Sequence, residues 1–207
     1  MSEPRDELRN RAAGGRATSR KRTRVLSFEE DAARVRSDQL ATEEPLEIRL
    51  FAGGRSKTLA VTMRTPGADF ELVAGYLHGE GVVTDRRHLT RLRYCTDPEL
   101  DAAQQYNVVS AELAAPALPD LPGLDRHSFT SSACGVCGRA SIESLEASGC
   151  RAVPPGPEVP AEVLLRLPAT LRASQGIFDS TGGLHAAGLF TTQGELVCLR
   201  EDVGRHN

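Results

Sequence analysis

The chain predicts an α+β domain followed by an α/β domain, and three observations carry that expectation. A stretch with period-two alternation folds back on itself at a Gly-Gly pair. One segment after it has its apolar residues at helical spacing. The second half places short helical pieces before another pair of strand-like runs. A length of 207 residues is enough for one large domain or two small ones with a buried core.

Each element follows from local pattern. Pro45-Leu46-Glu47-Ile48-Arg49-Leu50 alternates, Gly53-Gly54-Arg55 supplies a turn, and Thr58-Leu59-Ala60-Val61-Thr62-Met63 returns, which reads as a β-hairpin. Thr65 and Pro66 have the form of a helix start. Phe70, Val73, Ala74 and Leu77 then share one helical face, and Gly79 and Gly81 end it. Strands are expected at 89–95 and 105–113, so residues 44–114 form a small β-β-α-β-β domain. Residues 115–123 carry three prolines and a glycine and read as a linker. Beyond a second proline-rich punctuation at 153–160, residues 161–167 and 168–175 are expected as two short helical pieces, with Pro168 at the first position of the second. Strands at 184–190 and 195–200, joined by Thr191-Thr192-Gln193-Gly194, complete a second domain over 124–207.

Charge and cysteine content bound the setting. The net charge of −3 is uneven, because residues 1–24 hold eight Arg or Lys against three acidic residues. With little apolar periodicity there, residues 1–43 are expected to form a disordered basic arm. No aromatic residues interleave the charges of residues 1–24, so nucleic-acid binding is not expected. Five cysteines is an odd number, no secretory signal frames them, and no apolar run is long enough to span a bilayer. The expectation is a cytoplasmic protein in a reducing compartment, away from membranes.

Three constellations offer chemistry. In Cys134-Gly135-Val136-Cys137-Gly138 two thiols precede the helix-like run Arg139-Ala140-Ser141-Ile142-Glu143-Ser144-Leu145-Glu146. A thiol at such a position faces unpaired N–H groups and the positive end of a helix dipole, which favour the thiolate. The pair reads equally as half of a zinc site that His127 and Cys150 complete, or as a redox couple. The strand that a thioredoxin-type motif requires is replaced by small polar residues at 128–133. Cys95 and Cys198 lie in strand patterns and read as small core hydrophobes. The second constellation is Asp179-Ser180-Thr181-Gly182-Gly183-Leu184-His185, where paired glycines beside Thr181 let backbone N–H groups approach an anion, with His185 at the rim. The third is Glu201-Asp202-Val203-Gly204-Arg205-His206-Asn207, a charged turn at a strand end.

In order along the chain, Thr-Ser-Ser-Ala-Cys-Gly-Val-Cys-Gly, Phe-Asp-Ser-Thr-Gly-Gly-Leu-His-Ala-Ala and Arg-Glu-Asp-Val-Gly-Arg-His-Asn resemble the FdhD/NarQ family of formate dehydrogenase accessory sulfurtransferases. Glu43-Glu44-Pro45-Leu46 and the block from Pro66 to Gly81 match as well. The resemblance implies a sulfurtransferase that takes persulfide sulfur from a cysteine desulfurase and passes it to the molybdenum cofactor, a bis(molybdopterin guanine dinucleotide), for the formate dehydrogenase catalytic subunit. It implies Cys134 and Cys137 as the sulfur carriers, with the persulfide on Cys134, and a homodimer with no intrinsic metal. Thr181, Gly182, Gly183, His185, Asp202 and Arg205 become candidate walls for the phosphate-bearing cofactor, which arrives as a bound substrate. A non-catalytic chaperone clipped by zinc is the alternative. The family also implies a cytidine deaminase-like second domain. Deamination itself is not expected, because His185 follows the CxxC instead of preceding it and lacks the His-x-Glu pattern. Relatives continue past the final Asn, so that domain is expected to be incomplete at its C-terminal side.

Overall fold

The computed structural model describes residues 17–29, 32–95, 105–120 and 154–207. Cys134, Cys137, Cys150, His127 and most of the expected linker lie outside them, as do residues 1–16 of the basic arm. The described chain forms two compact units, neither continuous in sequence. The first comprises Glu44–Thr62 and the described residues of 68–120; the second comprises Thr18–Glu43, Met63–Gly67 and 154–207.

The first unit is a four-stranded sheet with one helix, in the expected β-β-α-β-β order. Its strands are β3 (Glu44–Ala52), β4 (Arg55–Arg64, whose last two residues belong to the second unit), β5 (Leu89–Tyr94) and β6 (Val108–Leu113), arranged β4-β3-β6-β5. Alternation along β3 buries Leu46, Ile48, Leu50 and Ala52 and leaves Glu47, Arg49 and Phe51 on the opposite face. β6 pairs parallel to β3 and antiparallel to β5. Helix α1 (Asp69–Gly79) lays Val73 and Leu77, one turn apart, into the core formed by the β3 residues with Leu59, Val109, Ala111 and Leu113. Each such aliphatic side chain contributes roughly 1.5–3 kcal/mol by leaving water.

The helix begins at Asp69, not at Thr65-Pro66, and no side chain caps it. Thr65 is engaged elsewhere, as described below. Asp69 is buried and accepts a hydrogen bond from the Tyr94 hydroxyl at 2.9 Å, while Phe70 packs on the Tyr94 ring at 4.7 Å, tying the first turn to β5. At the other end the Gly81 N–H bonds the His78 carbonyl and Gly81 adopts φ 72°, ending the helix where its glycines predict.

The β3–β4 turn demands glycine twice, for different reasons. Gly53 and Gly54 have φ of 57° and 73°, the signature of a type I′ turn, whose twist matches the flanking strands. A Cβ on Gly54 meets open space, whereas one on Gly53 falls 1.9 Å from the Pro116 carbonyl oxygen. Gly54→Ala is therefore expected to cost about 1–2 kcal/mol of left-handed strain. Gly53→Ala adds a backbone collision that must displace the 114–118 segment and should cost at least about 2 kcal/mol more. Urea unfolding of the two variants side by side checks this; equal losses would contradict it.

In the second unit, residues 18–43 overturn the expected disordered arm. β1 (Arg20–Glu29) and β2 (Ala32–Ala41) form an antiparallel hairpin in unbroken register from Arg20↔Ala41 to Glu29↔Ala32. Basic composition obscured a period-two pattern: Thr23, Val25 and Ser27 are half-buried while their neighbours face solvent. The hairpin has a packing partner far away in sequence. β2 packs against α3 (Gly176–Thr181), and the Arg20 guanidinium donates to the Ser180 hydroxyl at 3.0 Å.

Two helical pieces were expected at 161–175, but a single helix α2 (Ala161–Ser174) runs through Pro168. The proline removes only the bond to the Leu164 carbonyl, at a residue half-exposed to water. Strands β7 (His185–Phe190) and β8 (Leu196–Asp202) pair antiparallel around the expected turn, closed by the Thr191 N–H to the Glu195 carbonyl at 2.9 Å. α2 packs on one face of this pair: a Cβ on Gly188 would fall 2.7 Å from a Leu171 methyl and 2.8 Å from the Phe190 ring, so any larger residue there makes these side chains shift. Among the described residues, no helix is long and apolar enough to cross a membrane.

Candidate functional site

Six of the eight predicted site residues are described, and all six lie in the second unit. His185 and Asp202 are cross-strand partners at one end of the β7–β8 ladder. Thr181, Gly182 and Gly183 form the exit of α3 just before β7, and Arg205 stands in the turn after β8. Cys134 and Cys137 lie outside the described residues.

The exit of α3 is held from within. Gly182 adopts φ 71° and donates its N–H to the Phe178 carbonyl at 2.7 Å, a left-handed helix end. The Thr181 hydroxyl donates to the Ile177 carbonyl at 2.8 Å and accepts the Gly183 N–H at 3.4 Å. Both glycine N–H groups that the sequence offered to an anion thus have protein partners, and the helix end there presents carbonyls. His185 is exposed.

Asp202 is the most connected of the six. Its Oδ1 accepts the Gly204 N–H at 2.7 Å and the Asn207 amide at 2.6 Å, and its Oδ2 accepts the Thr65 N–H at 3.0 Å. Thr65 returns the favour: its hydroxyl accepts the Val203 N–H at 3.2 Å. Asn207 also donates to the Met63 carbonyl at 2.8 Å. Burial pushes the Asp202 carboxyl above the usual carboxylate range, against the opposing pull of these donors and of Arg64, itself 1 % exposed. Asp202 therefore clamps the 203–207 turn onto residues 63–65, and it presents Arg205 instead of reaching outward itself. Arg205 is exposed, with its Nε 3.1 Å from His206 Nε2.

Three further residues take part in roles that sequence reading did not give them. Glu201 accepts the Ile177 and Phe178 N–H groups at 3.0 and 2.8 Å, capping α3 from β8 and fixing where its exit points. Arg64 ends β4, and Thr65, which with Pro66 has the form of a helix start, instead bonds a carboxylate 137 residues away. Among the described residues, no group of three or more His, Cys, Asp or Glu side chains is placed to hold a metal.

This architecture is similar to that of a solved formate dehydrogenase accessory protein. A crystal structure assigned to such a protein from Desulfotalea psychrophila matches with a TM-score of 0.61, covering 90 % of this chain and 63 % of that one at 18 % identity, which establishes likeness of fold. The chain belongs to the FdhD/NarQ family, whose model matches residues 41–207. It is 47 % identical to the "Sulfur carrier protein FdhD" of Streptomyces coelicolor, covering 93 % of this chain and 67 % of that protein. The proteins of the same name from Nocardia farcinica and Mycobacterium tuberculosis are 44 % and 42 % identical, with 93 % of this chain covered in both cases and 66 % and 69 % of theirs. The chain thus spans about two thirds of the length of these relatives.

Proposed function

We propose that this protein carries sulfur for formate dehydrogenase maturation, taking it from the persulfide of a cysteine desulfurase on Cys134 and delivering it to the molybdenum cofactor. The observation that carries the reading is family membership across residues 41–207, a span that includes the Cys134-Gly-Val-Cys137 pair. In the first step the Cys134 thiolate attacks the outer sulfur of the donor persulfide. One S–S bond forms, another breaks, and the donor cysteine leaves as thiolate, so no external oxidant is needed. Cys137 then attacks the inner sulfur of Cys134. The outer sulfur leaves as hydrosulfide toward the metal of the substrate cofactor, and the resulting Cys134–Cys137 disulfide is reopened by a dithiol reductant.

For the cofactor's diphosphates, a bis(molybdopterin guanine dinucleotide) arriving as substrate, the exposed His185 and Arg205 supply the cationic or donor groups. Asp202 holds Arg205 in place. Thr181, Gly182 and Gly183 shape the adjoining wall, and their N–H groups join the phosphate contacts only on leaving their present partners. The protein works in the cytoplasm as a homodimer.

The test is direct. Reduced protein incubated with a cysteine desulfurase and cysteine should show a 32-Da adduct on the peptide carrying Cys134 or Cys137 by mass spectrometry. An unmodified peptide defeats the reading, and stoichiometric zinc bound through the same cysteines replaces it with a zinc-clipped chaperone.

A further inference from the structure

The first unit carries a feature that sulfur transfer does not use. β5 is the outer strand of the sheet among the described residues. An open groove of about 530 Å³ runs between it and α1, lined by Ala74, Val83, Leu89 and Leu92 with His78 beside them, and by Asp85, Arg86 and Arg91 on its polar side. The Cys95 N–H bonds the Val108 carbonyl inside the sheet, so by alternation the N–H and C=O of Leu92 point out of it, along the groove.

Charge and alternation say what fits there. Tyr94 faces α1, as its contacts with Asp69 and Phe70 require, and Leu92 packs toward the same core. By the same alternation Arg91 and Arg93 turn to the other face, Arg91 still bordering the groove and the Arg93 guanidinium 5.8 Å from the Phe51 ring. Within 85–93, Asp85 is fully committed to Arg87: it accepts the Arg87 Nε at 2.9 Å and Nη2 at 2.8 Å, and its carboxyl is held down to about 2 by those bonds. Arg86, Arg91 and Arg93 have no ion pair among the described residues, although Glu112 is the cross-strand neighbour of Arg91. Such an edge repels a second copy of itself, whose own Arg91 and Arg93 would be brought alongside.

We infer that the β5 edge receives an extended protein segment of alternating apolar and acidic residues, added as a further strand. Its main chain pairs with Leu92, its apolar side chains enter the α1 groove, and its carboxylates meet Arg91 and Arg93 on the opposite face. The inference stands independently of the sulfur-transfer reading.

A labelled acetyl-(Val-Glu)₄ peptide tests it by fluorescence anisotropy against the whole chain. Saturable binding is expected, at least about tenfold weaker for the Arg91→Glu/Arg93→Glu variant and for a peptide N-methylated at alternate amides. The same double variant should gain binding to acetyl-(Val-Lys)₄, a result that a misfolded variant cannot give. Absence of saturable binding overturns the inference, as does binding indifferent to both changes. A dimer of the chain that the double variant dissolves overturns it too, by assigning the edge to a second copy.

Discussion

Replacing Leu50 by alanine will destabilise the first unit by about 3–5 kcal/mol. Leu50 is 1 % exposed on β3, between β4 and β6, with Leu46, Ile48 and Ala52 on the same face and Val73 and Leu77 of α1 in the same core. Alanine there loses the transfer free energy of the removed carbons and leaves a cavity that a sheet paired on both sides cannot collapse around. The chain has no tryptophan, and its three tyrosines, Tyr76, Tyr94 and Tyr106, all belong to the first unit. Tyrosine fluorescence during urea unfolding therefore isolates this unit and makes the loss measurable. Leu26→Ala, on the open hairpin where the side chain is 55 % exposed, should shift the same transition by less than about 0.5 kcal/mol. Similar midpoints for the two variants would contradict the core assignment.

Asp202→Ala is expected to release the end of β8. It leaves the Thr65 and Gly204 N–H groups and the Asn207 amide without their carboxylate acceptor. At about 2 kcal/mol for hydrogen bonds to a partly buried charge, amide exchange at Thr65 and Gly204 should accelerate about 30-fold. Exchange rates within a factor of about two of the parent would show that the clamp contributes nothing. The same carboxyl gives a pH signature. Burial raises its folded pKa above the 3.8 of a free aspartate, so the native state holds the proton more tightly than the unfolded state. Its contribution to stability is greatest below 3.8 and declines as pH rises through the folded value. The variant should lack this decline.

The two halves of the chain differ in how readily they can be read, and the reason is the sequence distance of what stabilises them. β3, its turn and β4 were legible because alternation, paired glycines and return strand lie within about twenty residues. The face of α1 was legible from Val73 and Leu77. The β1–β2 hairpin was not: Arg20, Lys21, Arg22 and Arg24 dominate its composition, and its packing partner, Ser180 on α3, is 160 residues away. Pro168 suggested a break, yet the helix runs through it at the cost of one bond, to the carbonyl of the half-exposed residue Leu164. At the candidate site, His185 and Asp202 were legible as motif residues, and the ladder places them side by side. Their roles were less legible, because the carboxylate's partners and the capping of α3 by Glu201 come from tertiary contacts that no local spacing encodes.

The discontinuous makeup of the second unit has a consequence for synthesis. Residues 18–43 are synthesised well before the helix that the hairpin packs against: Ser180 on α3 follows its partner Arg20 by 160 residues. At about 5–20 residues per second that delay is on the order of 10–30 s, during which the hairpin has only its own ladder to hold it. Phe28 and Val35, 74 % and 58 % exposed even in the finished fold, are then open to any chaperone that recognises short apolar strands. Ribosome pausing between the hairpin and α3 should therefore lower the yield of folded protein more than pausing after α3.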